Sequence, residues 1–135
     1  MSGVAGARAL LAADSAVAAL VGDRVYRKVK RNATLPYVHL TRSDVDWRPT
    51  IDGTANRLVN ETIDVDSVAA TAEQAVAIDK AVREALQDAN EVTHAGITIA
   101  AVVIEGGAED VTPPDNGDDL VVSIISQSYL VQWRN

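Results

Sequence analysis

Asp64 and Asp66 stand two apart in a stretch of alternating polarity, which puts both carboxylates on one face of a strand. Paired carboxylates can divide acid and base work between them, but a solvated strand face carries the same spacing without any chemistry. The two histidines, His39 and His94, fall in a strand and in a turn before one, and neither has a second ligand at metal spacing. Residues 115–119, DNGDD, resemble a calcium loop only in composition. They lack the regular alternation of oxygen ligands and the distal glutamate, and read as a solvated hairpin tip. Cysteine is absent, which excludes disulfides, thiolate metal sites and a cysteine nucleophile. No Gly-x-Ser-x-Gly, phosphate-binding glycine loop or dinucleotide fingerprint occurs. The expectation is therefore a protein that is not an enzyme, with no catalytic, cofactor-binding or metal-ligating residues.

Charge is the more unusual feature. The net charge is −7, yet Arg24, Arg27, Lys28, Lys30 and Arg31 are gathered in one segment, while the chain from Glu84 to Trp133 carries acids and neither Lys nor Arg. On an acidic protein, with no interleaved aromatic beyond Tyr26, the basic segment does not fit sequence-specific nucleic-acid binding. It fits contact with an acidic protein surface. The expected subunit or partner interface consists of Arg24, Arg27, Lys28, Lys30 and Arg31, with Trp47 and Arg48 from the stretch 43–56. Glu109, Asp110, Asp115, Asp118 and Asp119 complete it on the acidic side. Trp47 is an anchor residue type at interfaces.

The elements that position these residues follow from hydrophobic period. At 135 residues and 47% hydrophobic content the chain suits a single domain, 1–135, with an aliphatic core, since it holds no Phe. Val59, Ile63 and Val65 alternate with Asn60, Thr62, Asp64 and Asp66, the pattern of a half-buried strand that Glu61 interrupts once. After Thr71 the spacing changes to Ala75, Ile78, Val82, Leu86 and Ala89, one stripe along a helix that Thr71 caps and Asn90 stops. Residues 4–21 predict a helix broken near Asp14. Further strands are predicted at Tyr37–Thr41, at Ile97–Ile104, and from Leu120 to Trp133 with a bend at Ser126–Ser128. Residues 43–56 read as a long loop and 106–119 as turns.

The predicted fold is α+β: a four-stranded, mostly antiparallel or mixed sheet with an N-terminal helix and one long helix packed on one face. Two of its strands are apolar on both faces, so an apolar sheet face is expected to remain for a partner subunit. The run Val4–Val21 contains Arg8 and Asp14 and has no basic region ahead of it, so it reads as structure and not as a leader or membrane span.

Four stretches in order carry a family resemblance: LLAADSAVAALVGDRVYR (10–27), LPYVHL (35–40), NETIDVDSVA (60–69) and AEQAVAIDKAVREALQD (72–88). They resemble the tail completion, or tail terminator, proteins of long-tailed bacteriophages, the tail-to-head joining family. The resemblance implies a structural virion protein that closes into a hexameric ring at the head-proximal end of the tail and stops tube growth. Its implied partners are further copies of itself, the tail tube protein and the head-tail connector, with viral DNA passing through the ring and assembly in the host cytoplasm. It implies no enzyme activity, cofactor or membrane. The alternatives are another phage neck or minor tail protein, or, from a different class, a small α+β enzyme or ligand-binding oligomer using Asp64, Asp66 and His39.

Overall fold

A computed structural model describes residues 2–27, 34–46, 58–94, 96–112 and 122–134. The elements are α1 (Gly3–Ala13), α2 (Ser15–Val21), β1 (Val25–Tyr26), β2 (Tyr37–Asp46), β3 (Val59–Ala69), α3 (Ala72–Gln87), β4 (Val92–His94), β5 (Ile97–Thr112) and β6 (Val122–Arg134). The strands form one curled sheet in the order β1-β2-β3-β6-β5-β4, antiparallel throughout except for the β1–β2 pair.

The α+β class is as expected, but the sheet has six strands and not four. The two extra strands, β1 and β4, are two and three residues long. Alternation cannot be read over so short a run, and His94 lies in β4 where a turn was expected.

Each helix start has a side chain to hold it. The Ser2 hydroxyl accepts the Ala5 amide of α1, Asp14 Oδ1 accepts the Ala16 and Val17 amides of α2 at 3.0 Å each, and Thr71 Oγ1 accepts the Gln74 amide of α3 at 3.2 Å. Asp14 has extended backbone, so the break expected there is real, and α1 and α2 are bent by 81°. No single helix among the described residues is long and apolar enough to cross a membrane. α3 ends at Gln87 with Asp88 as its cap, and the left-handed residue beyond it is Glu91, φ 55°, where Asn90 was expected to stop the helix.

The inner face of the sheet meets the helices. Ile78, Val82 and Leu86 of α3 join Val59, Ile63 and Val65 of β3 in one buried cluster, to which α1 adds Val4, Leu10 and Leu11. The interruption at Glu61 has a use. Its carboxylate is fully buried and accepts the Gly3 amide at 3.2 Å and the Val4 amide at 2.5 Å, so a strand residue closes the first turn of α1.

Several expected boundaries move. Residues 43–46 belong to β2 and not to a loop, and the rest of that stretch, from Trp47 to Asn56, lies outside the described residues. β5 continues past Ile104 to Thr112, through residues whose glycines and acids read as turns. The bend expected at Ser126–Ser128 is absent from β6; the irregularity sits opposite, in β5, between Ile104 and Gly106. That bulge re-registers β5 without interrupting it.

Candidate functional site

Opposite the helices, no described element covers the outer face of the sheet, and its centre is polar. Strand pairing sets Thr41, Asp64, Ser128 and Gly106 side by side in one row, and His39, Asp66, Ser126 and Ala108 in the next but one. The Ser128 hydroxyl donates to Asp64 Oδ1 and the Ser126 hydroxyl donates to Asp66 Oδ1, both at 2.6 Å. The rows floor a groove of about 560 Å³ that Glu105 also lines. Gly107 is required at its rim, because a Cβ there would lie 2.1 Å from Gln127 Oε1 and 2.6 Å from the Ser126 carbonyl oxygen. Gly106, with φ 149°, takes a backbone conformation that other residues rarely adopt. The expected uncovered apolar face is thus corrected. Its centre carries aspartates and serines, and large apolar groups sit toward its ends, where Val103 is 53% exposed beside Leu130.

Asp64 and Asp66 do share a face, but each carboxylate is occupied by a serine hydroxyl. His39 places Nδ1 3.7 Å from Asp66 Oδ2, while its Nε2 lies 3.5 Å from Thr41 Oγ1 and 3.2 Å from the Arg27 carbonyl oxygen. A carbonyl oxygen only accepts, so the shorter contact requires a proton on Nε2, and that nitrogen is not a base toward Thr41. The groove is wide and open to solvent, so it does not desolvate the reacting groups as an enclosed catalytic site would. Among the described residues no group of three His, Cys, Asp or Glu side chains could hold a metal ion.

The interface residues expected from charge are only partly in view. Arg24 and Arg27 flank β1; Arg24 Nε donates to the Pro36 carbonyl oxygen at 2.8 Å, and Arg27 is exposed. Glu109 and Asp110 lie on β5, paired with Ile125 and Ile124 of β6. Lys28, Lys30, Arg31, Trp47, Arg48, Asp115, Asp118 and Asp119 lie outside the described residues.

Three buried or paired groups escaped the sequence reading. Glu61 was visible there as a lone acid on an apolar strand face, which is the signal of a buried partner. Tyr129 is completely buried on the inner face of β6, and burial first, then the charge of Asp79 on α3, pushes its hydroxyl well up. At the surface, the Arg134 guanidinium hydrogen-bonds Glu91 and holds that carboxyl below its ordinary value of 4.5.

No curated protein matches the sequence. Among solved structures, a chain described as part of the virion of a native gene transfer agent particle has a TM-score of 0.64 at 20% identity. The match covers 99% of this chain and 96% of that one. At that identity the likeness is one of fold. A family model, tail completion protein gp17, matches residues 7–115, which takes in most of α1, all of α2 and α3, and the strands β1 to β5. The chain belongs to this tail completion protein family, the structural proteins of bacteriophage tails.

Proposed function

We propose that this protein is the tail terminator of a phage-type particle: copies of it close into a hexameric ring on the head-proximal end of the tail tube. The ring stops tube growth and presents the surface that meets the head connector. Family membership carries the reading. A subunit whose helices cover one sheet face while the other face stays open is suited to it, because a head-to-tail contact repeated by rotation generates a ring when the rotation closes. Around such a ring, the basic segment Arg24–Arg31 of one subunit faces the acidic segment Glu105–Asp119 of the next. Charges at the rim of the contact set partner and register more than affinity.

Light scattering and negative-stain microscopy of the purified protein, alone and mixed with the tail tube protein from the same particle, test this reading. The expected result is closed six-membered rings seated on one end of tubes of uniform length. Tubes that grow past their normal length in its presence would overturn it.

A further inference from the structure

The sheet has two open edges on opposite sides. β1 pairs with β2 only at Val38 and His39, and β4 pairs with β5 only from Ile97 to Ile99. Among the described residues, no strand pairs with the outer side of β2 from Thr41 to Asp46 or of β5 from Ala101 to Thr112. Unpaired edges are commonly blunted by charged side chains, lysine above all, by proline or bulges, or are kept very short. Neither segment contains lysine or proline, and the β5 segment contains no base at all.

The two edges fit each other. From β2 to β5 the sheet makes three antiparallel steps, through β3 and β6, so β2 and β5 run in opposite directions. A second copy, turned about an axis along the strands, therefore lays its β5 antiparallel against the first copy's β2. Strand register levels Thr41 with Gly106 and Arg42 with Ile104, so Arg42 arrives within one residue of Glu105. Arg24, directly before the Val25–Val38 pair, is level with Asp110. One edge thus brings Arg24, Arg27 and Arg42, with Asp44 and Asp46 at its far end, and the other brings Glu105, Glu109 and Asp110. The bulge in each edge strand, between Arg42 and Asp44 and between Ile104 and Gly106, increases local twist and lets the extended sheet curl.

We propose that neighbouring subunits are joined by antiparallel pairing of the β2 edge of one copy with the β5 edge of the next, so that the sheet runs on from subunit to subunit. The inference rests on the ring reading and deepens it by naming the contact.

The absence of native cysteine makes the test direct. Thr41→Cys or Ser43→Cys is combined with Val103→Cys or Glu105→Cys in the full chain, all four positions being exposed. The protein is oxidised after assembly, alone and on tail tubes, and separated without reductant. The expected result is a ladder of linked chains up to six in at least one of the four combinations, which together cover the neighbouring registers, and none in the single variants. Rings seen by microscopy with no linkage in any combination would overturn the edge contact while leaving the ring. Linked dimers from a β5 single variant would mean that β5 meets β5 across a two-fold axis, and would also overturn it. A protein that stays monomeric with and without tubes would sink the ring reading itself, and the edge contact with it.

Discussion

The two faces of the sheet divide the work of the molecule. On the inner face most positions are apolar and closed by a helix, and the one buried charge among the described residues, Glu61, is tied to the start of α1. On the outer face the same strands present hydroxyls and carboxylates that bond to one another across strands. In the proposed ring, a subunit built this way would fold by one face and keep the other, with the strand edges, for assembly. Substitutions should separate the two: inner-face changes should cost stability, and outer-face or edge changes should cost assembly.

The largest effect is expected at Val82, which is 1% exposed between α3 and the sheet. Val82→Asp places an unpaired charge there and should lower stability by on the order of 4 kcal/mol, enough to leave much of the protein unfolded. Urea unfolding followed by circular dichroism measures it. A midpoint equal to the parent's would mean that α3 presents a different face to the sheet. Next comes Glu61→Ala, which strips two charge-assisted bonds from buried amides and should cost roughly 3 kcal/mol. Glu61→Gln keeps the shape and one acceptor, and should recover part of that loss. Hydrogen exchange at the Gly3 and Val4 amides should rise in the alanine variant well before the rest of the core does.

The parts of the fold legible in the sequence are those with a long, regular period. β3 and α3 show one clean change of spacing, and the breaks and caps at Asp14 and Thr71 are local chemistry that residue type reveals directly. What was not legible depends on partners far along the chain. β1 and β4 exist because a longer strand lies beside them. The extension of β5 through Gly106 and Gly107 depends on β6, which supplies ladder bonds that turn-forming residues do not suggest on their own. The polarity of the outer face is hidden from the sequence for a related reason. Ile97–Ile104 and Leu120–Ile125 are largely apolar, but the middle of the outer face is made by Asp64 and Asp66 of β3 with Ser128 and Ser126 of β6 and Gly106 and Ala108 of β5, which only the strand order and register bring together. The two aspartates were placed on one face correctly; their serine partners on β6 were out of reach of spacing within a single strand.

The outer face should answer more weakly than the inner one. Ser128→Ala removes a 2.6 Å bond to Asp64 that is only half-buried, so water can replace the lost donor. A loss of about 1 kcal/mol is expected. Asp64→Asn in the same background should add little further, since the carboxylate has already lost its partner. A double-mutant cycle by thermal unfolding reads the coupling; a cost of core size at Ser128 would mean that the outer face also holds the subunit together.

The smallest effect is expected at the Glu91–Arg134 pair, which closes the sheet near β4 at the protein surface. The bond from Arg134 lowers the Glu91 carboxyl from its ordinary value of 4.5, so folding favours the ionised form. A group depressed in this way contributes stability above its unfolded value, and the contribution disappears as pH falls through the lower folded value. Between pH 6 and pH 3 the parent should therefore lose slightly more stability than Glu91→Gln, which keeps the side-chain shape and backbone position but does not titrate. Because the pair is exposed, the difference should shrink as salt rises and its attraction is screened. Identical pH profiles for parent and variant at low ionic strength would show that the two side chains do not stay together in solution, and that β4 is held to the sheet without them, by its three backbone pairings with β5 and the Thr93–Thr98 hydroxyl contact.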